Sequence, residues 1–512
     1  MVQRRIKYQM HLIGAGFIIL LAACDGESAV TPVVPGPEVP QETAYLSLSV
    51  NIGDALTTRS YDGTFEGTPE ERFVQGVRLV LYNGNSTNST VVKSIDYDIK
   101  TAGSGSNAWT GTGLAPTTNQ GRTDQFITYA EVVPKMDYYA LAIINPTAEM
   151  KNFTATGKTL AEFDNSREIE QGGKTMNVGG LAEEKQFVMT NAQGLVQVLE
   201  STYLKNTINA AHNKPVPILV ERIVAKVTLT TKDGSSKIPC TTNCQADHLS
   251  WGLDITNKWT YWMRKTTGNV NDPVEKWYAE DPNYTQIGEK QETDRMKEFF
   301  YYKSQGKNPA TLPYALKESE YCLENTMDDT DQTYDNVATR VLFKCTYKPF
   351  KINTLGEGYY VIDSDIYTHT EMELLYKVAK EQELTNTKSE LSKKILNAET
   401  QGYKLNTGGI PEYNGSAVAE SFESSDIRYY HNGVNYYAIK IRHFGENDSK
   451  PLAYGHYGVL RNTHYTVKLE SIIGPGAINL DDTEISTRAA NTAGSELYEN
   501  IQATIIVNSY DK

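Results

Sequence analysis

The side chains best suited to chemistry in this 512-residue chain are few and poorly spaced for it. Cys240, Cys244 and His248 lie close together, a spacing that invites zinc, but no fourth ligand follows at a fitting distance. Structural thiols, paired or free, are the expected state. The eight histidines are scattered, and His443, His456 and His464, the nearest group, read as packing residues, with His443 on the face of a strand. Asp481, Asp482 and Glu484 offer carboxylates without the spacing or the glycine of a calcium loop. The chain has no glycine-rich phosphate loop, no Gly-x-Ser-x-Gly elbow and no His-Glu-x-x-His helix. Nor does any carboxylate pair single itself out for glycoside hydrolysis. The expectation is a protein that is not an enzyme and uses neither cofactor nor metal.

One aromatic concentration needs weighing. Trp251, Trp259, Tyr261, Trp262, Trp277 and Tyr278 hold four of the five tryptophans. They read either as a stacking platform for sugar rings or as the core and rim of a sheet, and filling space is the reading preferred here. Tyrosine outnumbers phenylalanine 33 to 13, which suits sheets with one wet face, since the ring buries while the hydroxyl keeps a polar partner. A net charge of -14 argues against a nucleic-acid partner.

The N-terminus sets an expected compartment. Arg4, Arg5 and Lys7 precede an apolar run over residues 12–23, too short to cross a bilayer and shaped like an export signal. Leu21, Ala22 and Ala23 lead into Cys24, an arrangement that resembles the bacterial lipobox, in which the cysteine is diacylated. Residues 31–40, reading TPVVPGPEVP, make a proline-rich tether. A lipid-anchored precursor follows, with signal 1–23 and flexible tether 24–43. Cys240, Cys244, Cys322 and Cys345 remain, and three disulfide pairings are open.

Beyond the tether, alternation of period two dominates. Leu46, Leu48, Val50 and Ile52 point one way and Tyr45, Ser47, Ser49 and Asn51 the other. The pattern recurs at Val77, Leu79 and Leu81, at Ile223, Ala225, Val227 and Leu229, at Tyr437, Ile439 and Ile441, and at Tyr465, Val467 and Leu469. Gly-, Asn- and Ser-rich turns separate these runs, as in β-sandwiches. Helical spacing appears at Met372, Leu375, Val378 and Ala379, and at Leu391 with Ile395, and is read as an amphipathic lid on a sheet. Pro215 and Pro217 mark a break, so the expected layout is a sandwich at 60–218 and another at 219–495.

The two chain ends belong together. Leu497, Ile501, Ala503, Ile505 and Val507 line one face of a final strand, within the segment 496–512. Near the other end, residues 44–59 hold the strand carrying Leu46 to Ile52 and a polar loop that reaches Arg59, with Ser60 next. A cut there would sever that strand and leave a groove.

Here a resemblance enters. The chain resembles a Bacteroidales fimbrillin, nearest the short-fimbria (Mfa) branch, along nearly its whole length. The residues that carry it are 138–146 (YYALAIINP), 187–192 (FVMTNA), 220–227 (VERIVAKV), Trp251 with 256–258 (TNK), 321–326 (YCLENT), 338–343 (ATRVLF), 457–462 (YGVLRN) and 473–476 (IGPG). The resemblance implies a mainly β chain of two transthyretin-like β-sandwich domains with a few short helices. It implies a lipoprotein precursor, lipidated at Cys24 and held in the outer membrane. An arginine-specific protease would cut between Arg59 and Ser60 and remove Leu46, Leu48, Val50 and Ile52; Arg72 is the alternative site, but it directly precedes the Val77 strand and a cut there leaves less of a loop. The donor strand carrying Leu497, Ile501, Ala503, Ile505 and Val507 would then fill the groove of a neighbouring copy. Implied partners are identical subunits head-to-tail, accessory tip and anchor proteins, and host or bacterial receptors, with adhesion and biofilm formation as outputs. A stalk subunit is the first expectation. A tip or anchor subunit is the second, and a surface glycan-binding lipoprotein using the aromatic cluster is a third of a different kind.

Overall fold

The structure is a computed structural model. It describes residues 42–53, 63–98, 114–116, 125–169, 171–172, 177–241, 243–266, 279–284, 290, 294, 296–302, 312–328, 337–406, 408–413, 415–424, 426–443, 456–479, 497–498 and 500–510. Residues 43–512 form one unit. The expected signal, Cys24, the tether, Arg59 and Ser60 lie outside the described residues.

The chain is mainly β, as its alternating patterns predict. In the first half a nine-stranded sheet runs in the order Val91–Asp98, Gly76–Tyr82, Tyr138–Ile144, Met189–Asn191, Val216–Arg222, Leu48–Ile52, Gln125–Thr128, Leu114–Pro116, with Val196–Val198 also on Tyr138–Ile144. Every pairing is antiparallel except that of Val216–Arg222 with Leu48–Ile52. A second small layer pairs Thr43–Leu46 with Glu131–Pro134. Between them lies a core of aliphatic side chains, to which the short helices Ala148–Phe153 and Leu160–Asp164 add Met150, Leu160 and Phe163.

In the second half, one sheet runs Ser319–Leu323, Val224–Thr231, Thr463–Ile472, Ile501–Tyr510, Gly63–Phe65. It faces a three-stranded sheet of Gln245–Asp254, Arg340–Lys348 and Val434–Lys440. Val227, Val467 and Ile505 from the first meet Trp251, Phe343 and Ile439 from the second, the interdigitation that defines a sandwich.

The division of the chain differs from the layout expected at residues 218 and 219. Val216–Arg222 is a single unbroken strand of the first sheet, and the core changes hands between Val224 and Ala225. Proline there does not break the strand, because Pro217 pairs in register with Ser49. One short piece also crosses over: Gly63–Phe65 belongs to the second half's sheet, on the outer edge of Ile501–Tyr510.

Where the two cores meet, the chain buries charge. Arg264 grips Glu221 with two bonds of 2.8 and 2.7 Å, Arg340 binds Asp254 at 2.7 Å, Arg461 binds Glu324 at 3.0 Å, and Lys226 binds Glu71 at 2.9 Å. All eight side chains are under 10% exposed. Buried pairs add little net stability, because desolvation offsets the attraction, but breaking one strands an ion. Their effect is to define one arrangement of the elements that meet there.

The expected lid is present. Helices His369–Thr385 and Glu390–Thr400 pack Met372, Ala379, Ile395 and Leu396 onto Tyr360 and Ile362 of a small sheet. Thr368 and Glu371 close a capping box at the first helix, and Asn386 ends it in the left-handed region. Val378 departs from expectation and faces outward, 44% exposed, because the buried face follows Met372, Leu375 and Ala379.

Cys240 and Cys244 form a disulfide, while the thiols of Cys322 and Cys345 are buried and free, their pKa values pushed up by burial. The bridge closes a very short loop, so loop-closure entropy limits its contribution to about 2 kcal/mol. Replacing both Cys240 and Cys244 with Ser should lower the urea-unfolding free energy by no more than that.

Candidate functional site

The N-terminal strand is an interior strand. Leu48–Ile52 lies between Val216–Arg222 on one edge and Gln125–Thr128 on the other. Leu46, Leu48 and Val50 are fully buried, and Ala44 and Ile52 nearly so. Ser47 and Ser49, expected to face water, are buried as well, because the strand is covered on both faces. Its main chain is tied in throughout: Tyr45 exchanges two bonds with Lys205, Val216 N–H donates to Ser47 O at 2.9 Å, Leu48 N–H donates to Thr128 Oγ1 at 2.9 Å, and Gly53 N–H donates to Val220 O at 3.2 Å. Taking this segment away would bare one edge of Val216–Arg222 and uncover Val216, Ile218 and Val220, each fully buried now. Four large apolar side chains at about 1.5–3 kcal/mol each put the gross loss on the order of 10 kcal/mol.

The C-terminal strand is not a loose tail. Ile501–Tyr510 pairs with Thr463–Ile472 from Ile501 opposite Ile472 to Ser509 opposite Thr463. Ile501, Ala503, Ile505 and Val507 are each under 7% exposed and sit in their own molecule's second core. The alternation read from the sequence is there, but its apolar face already has a home. Leu497 is not on this strand: it belongs to the separate short strand Leu497–Tyr498 and pairs with Gln502.

Next to Tyr510 lies a group that sequence reasoning missed. Glu71 is 1% exposed. Its Oε1 accepts from Tyr321 OH at 2.5 Å, Tyr510 OH at 2.8 Å and Lys226 Nζ at 2.9 Å, and its Oε2 accepts from Thr68 N–H at 2.5 Å. Burial pushes its carboxyl up, but the Lys226 ammonium and the hydrogen bonds of Tyr321 and Thr68 outweigh it and hold the pKa at about 2. Phe65 covers the cluster, with its ring 4.3 Å from His464 and 5.2 Å from Tyr510. Local sequence signals the turn, since Thr68 and Glu71 stand at capping-box spacing and bond reciprocally. Nothing local signals that the charged stretch Glu70-Glu71-Arg72 turns its middle residue inward.

The other candidates are dispersed. Trp251 and Trp262 are buried, Trp262 between Phe153 and Phe163 with Arg167 over its ring. Trp259 and Tyr261 are half-buried, and Trp277 and Tyr278 lie outside the described residues. His443 sits just past the end of a strand, buried, 2.7 Å from Tyr465 OH. Among the described residues no group of three His, Cys, Asp or Glu is placed to hold a metal ion, and no helix is long and apolar enough to cross a membrane.

These features define a two-part β protein with an interior first strand and a sheet closed by its last one. Residues 428–511, which include that last strand, match the family described as major fimbrial subunit protein type IV, fimbrillin, C-terminal. The match is confined to this C-terminal stretch of the chain. None of the curated proteins compared matches the chain. Among solved structures, a Parabacteroides distasonis protein described as a cell adhesion protein has 11% identity and TM-score 0.43, over 92% of this chain and 99% of its own. The tip fimbrial protein Mfa3 of Porphyromonas gingivalis, truncated at its C-terminus, has 10% identity and TM-score 0.34 over 92% and 100%. A Parabacteroides distasonis fimbrial assembly protein has 13% identity and TM-score 0.29 over 64% and 94%.

Proposed function

We propose that this chain is a fimbrial subunit exported as a lipoprotein precursor, that hydrolysis after Arg59 frees its first strand, and that a neighbouring subunit's strand takes the vacated place. The observation that carries this reading is the interior position of Leu48–Ile52. Its parallel partner Val216–Arg222 is remote in sequence, and onward it connects only through the stretch that holds Arg59. An accepted strand restores the ladder on both edges and refills the positions of Leu46, Leu48, Val50 and Ile52. N-terminal sequencing of assembled, surface-shed protein tests the reading directly. A start at Ser60 supports it, and a start upstream of Leu46 ends it.

As a stalk subunit the chain would also donate residues 497–509. That requires Ile501–Tyr510 to leave its own sheet, exchanging one buried environment for another and opening a second gap behind it. A tip subunit accepts a strand and need donate none. The seated C-terminal strand favours this second role. A cross-strand disulfide separates them. Lys468 and Thr504 are register partners with half-buried side chains, so Lys468→Cys with Thr504→Cys should staple the strand in place. Oxidised, the stapled protein should still join filament ends if it is a tip subunit, and should lose all chain growth if it is a stalk subunit, as read by electron microscopy of assembled material.

A further inference from the structure

We infer that residues 63–71 form a clamp that keeps the C-terminal strand in its own sheet, with the Glu71 carboxylate as its anchor and Phe65 as its cover. The second half's sheet begins with four adjacent strands, Ser319–Leu323, Val224–Thr231, Thr463–Ile472 and Ile501–Tyr510. This one short segment touches all four. Glu71 accepts from Tyr321 on the first, Lys226 on the second and Tyr510 on the fourth, and Phe65 packs its ring, tilted, against His464 of the third.

The clamp acts at the C-terminal end of the last strand. One edge of Ile501–Tyr510 has a long ladder to Thr463–Ile472. On the other edge its described strand partners are Leu497–Tyr498, at Ile501 and Gln502, and Gly63–Phe65, at Asn508, Ser509 and Tyr510. Tyr510 is fastened further by its N–H to Asn462 O at 3.0 Å and by the Arg222 guanidinium 4.3 Å above its ring. A strand peels from an end, so the end that is fastened governs release.

The clamp lies wholly between the two candidate processing sites. Hydrolysis of the peptide bond after Arg59 leaves it on the subunit, whereas hydrolysis after Arg72 removes both Phe65 and Glu71. The choice of arginine therefore decides whether the last strand stays tied. This consequence, unlike the clamp itself, rests on the processing reading above.

The test is hydrogen exchange, followed by mass spectrometry, on the purified full chain, comparing wild type with Phe65→Ala and with Glu71→Gln. Removing a hydrogen bond to a charged group should speed exchange across Ile501–Tyr510 by about tenfold or more, with the distant strand Tyr138–Ile144 unchanged. Unchanged exchange over 501–510 in both variants overturns the clamp, and so does equal acceleration in both strands, which would mark a general loss of stability. Because the readout uses unprocessed monomer, failure to find Ser60 at the N-terminus of shed protein would sink the processing reading and leave this result standing.

Discussion

Precursor carrying Arg59→Ala should stay monomeric when treated with an arginine-specific protease, under conditions that convert wild-type precursor into filaments. The expected difference is all or none, because an uncut chain keeps its own Leu48–Ile52 in the place an incoming strand needs. Closing the groove is worth on the order of 10 kcal/mol gross in apolar burial, before the entropy of ordering the guest is subtracted. No guest displaces a covalently attached occupant of equal fit at ordinary concentrations. The control is a synthetic peptide of residues 43–52. Added in excess to cut wild-type protein, it should refill the vacancy and suppress assembly. Should Arg59→Ala still build polymers of wild-type length, the processing proposal fails.

Two buried histidines set the second large effect, an acid instability. Burial, with Arg264 adding repulsion, holds His443 at about 3. Burial and Lys226, partly opposed by Glu71, hold His464 at about 4. Nε2 of His464 lies 2.9 Å from Thr228 Oγ1, and its Nδ1 is buried without a hydrogen bond. The unfolded chain takes up a proton at each site near the ordinary value of 6.5, and the folded chain does not. Their stabilising contribution is thus complete above 6.5 and drains away as pH falls toward 4 and 3. By pH 4 each histidine should have removed about 3 kcal/mol relative to neutral pH. Urea unfolding of wild type and His443→Gln at pH 7 and pH 4 reads this out. The gap between the two proteins should shift by about 3 kcal/mol in favour of the variant on acidification, and a gap independent of pH would refute the assignment.

Much of the fold was legible in the sequence because one burial rule governs each strand. Val77, Leu79 and Leu81, and Tyr465, Val467 and Leu469, alternate as strands do, and all six are buried. The rule loses information where a strand is covered on both faces. Ser47 and Ser49 are small and polar, so they look like a wet face, yet the interior position of Leu48–Ile52 buries them. Sequence also carries no mark of which sheet a strand joins. The alternation of Ile501, Ala503, Ile505 and Val507 is equally good for a donated strand and for one that completes its own sandwich, and within this chain the strand pairs with Thr463–Ile472. Glu71 was hidden for a third reason. A buried carboxylate is made tolerable by Lys226, Tyr321 and Tyr510, all far from it in the chain, so no local window contains the arrangement.

The flanking of Leu48–Ile52 on both edges bears on how a fibre built this way would meet mechanical load. A strand seated between two neighbours and pulled along its own axis is loaded in shear, so the bonds on both sides resist together, whereas a strand on an outer edge pulled sideways opens one rung at a time. A guest held in this slot would make each joint strongest against pulls along the strand's own axis.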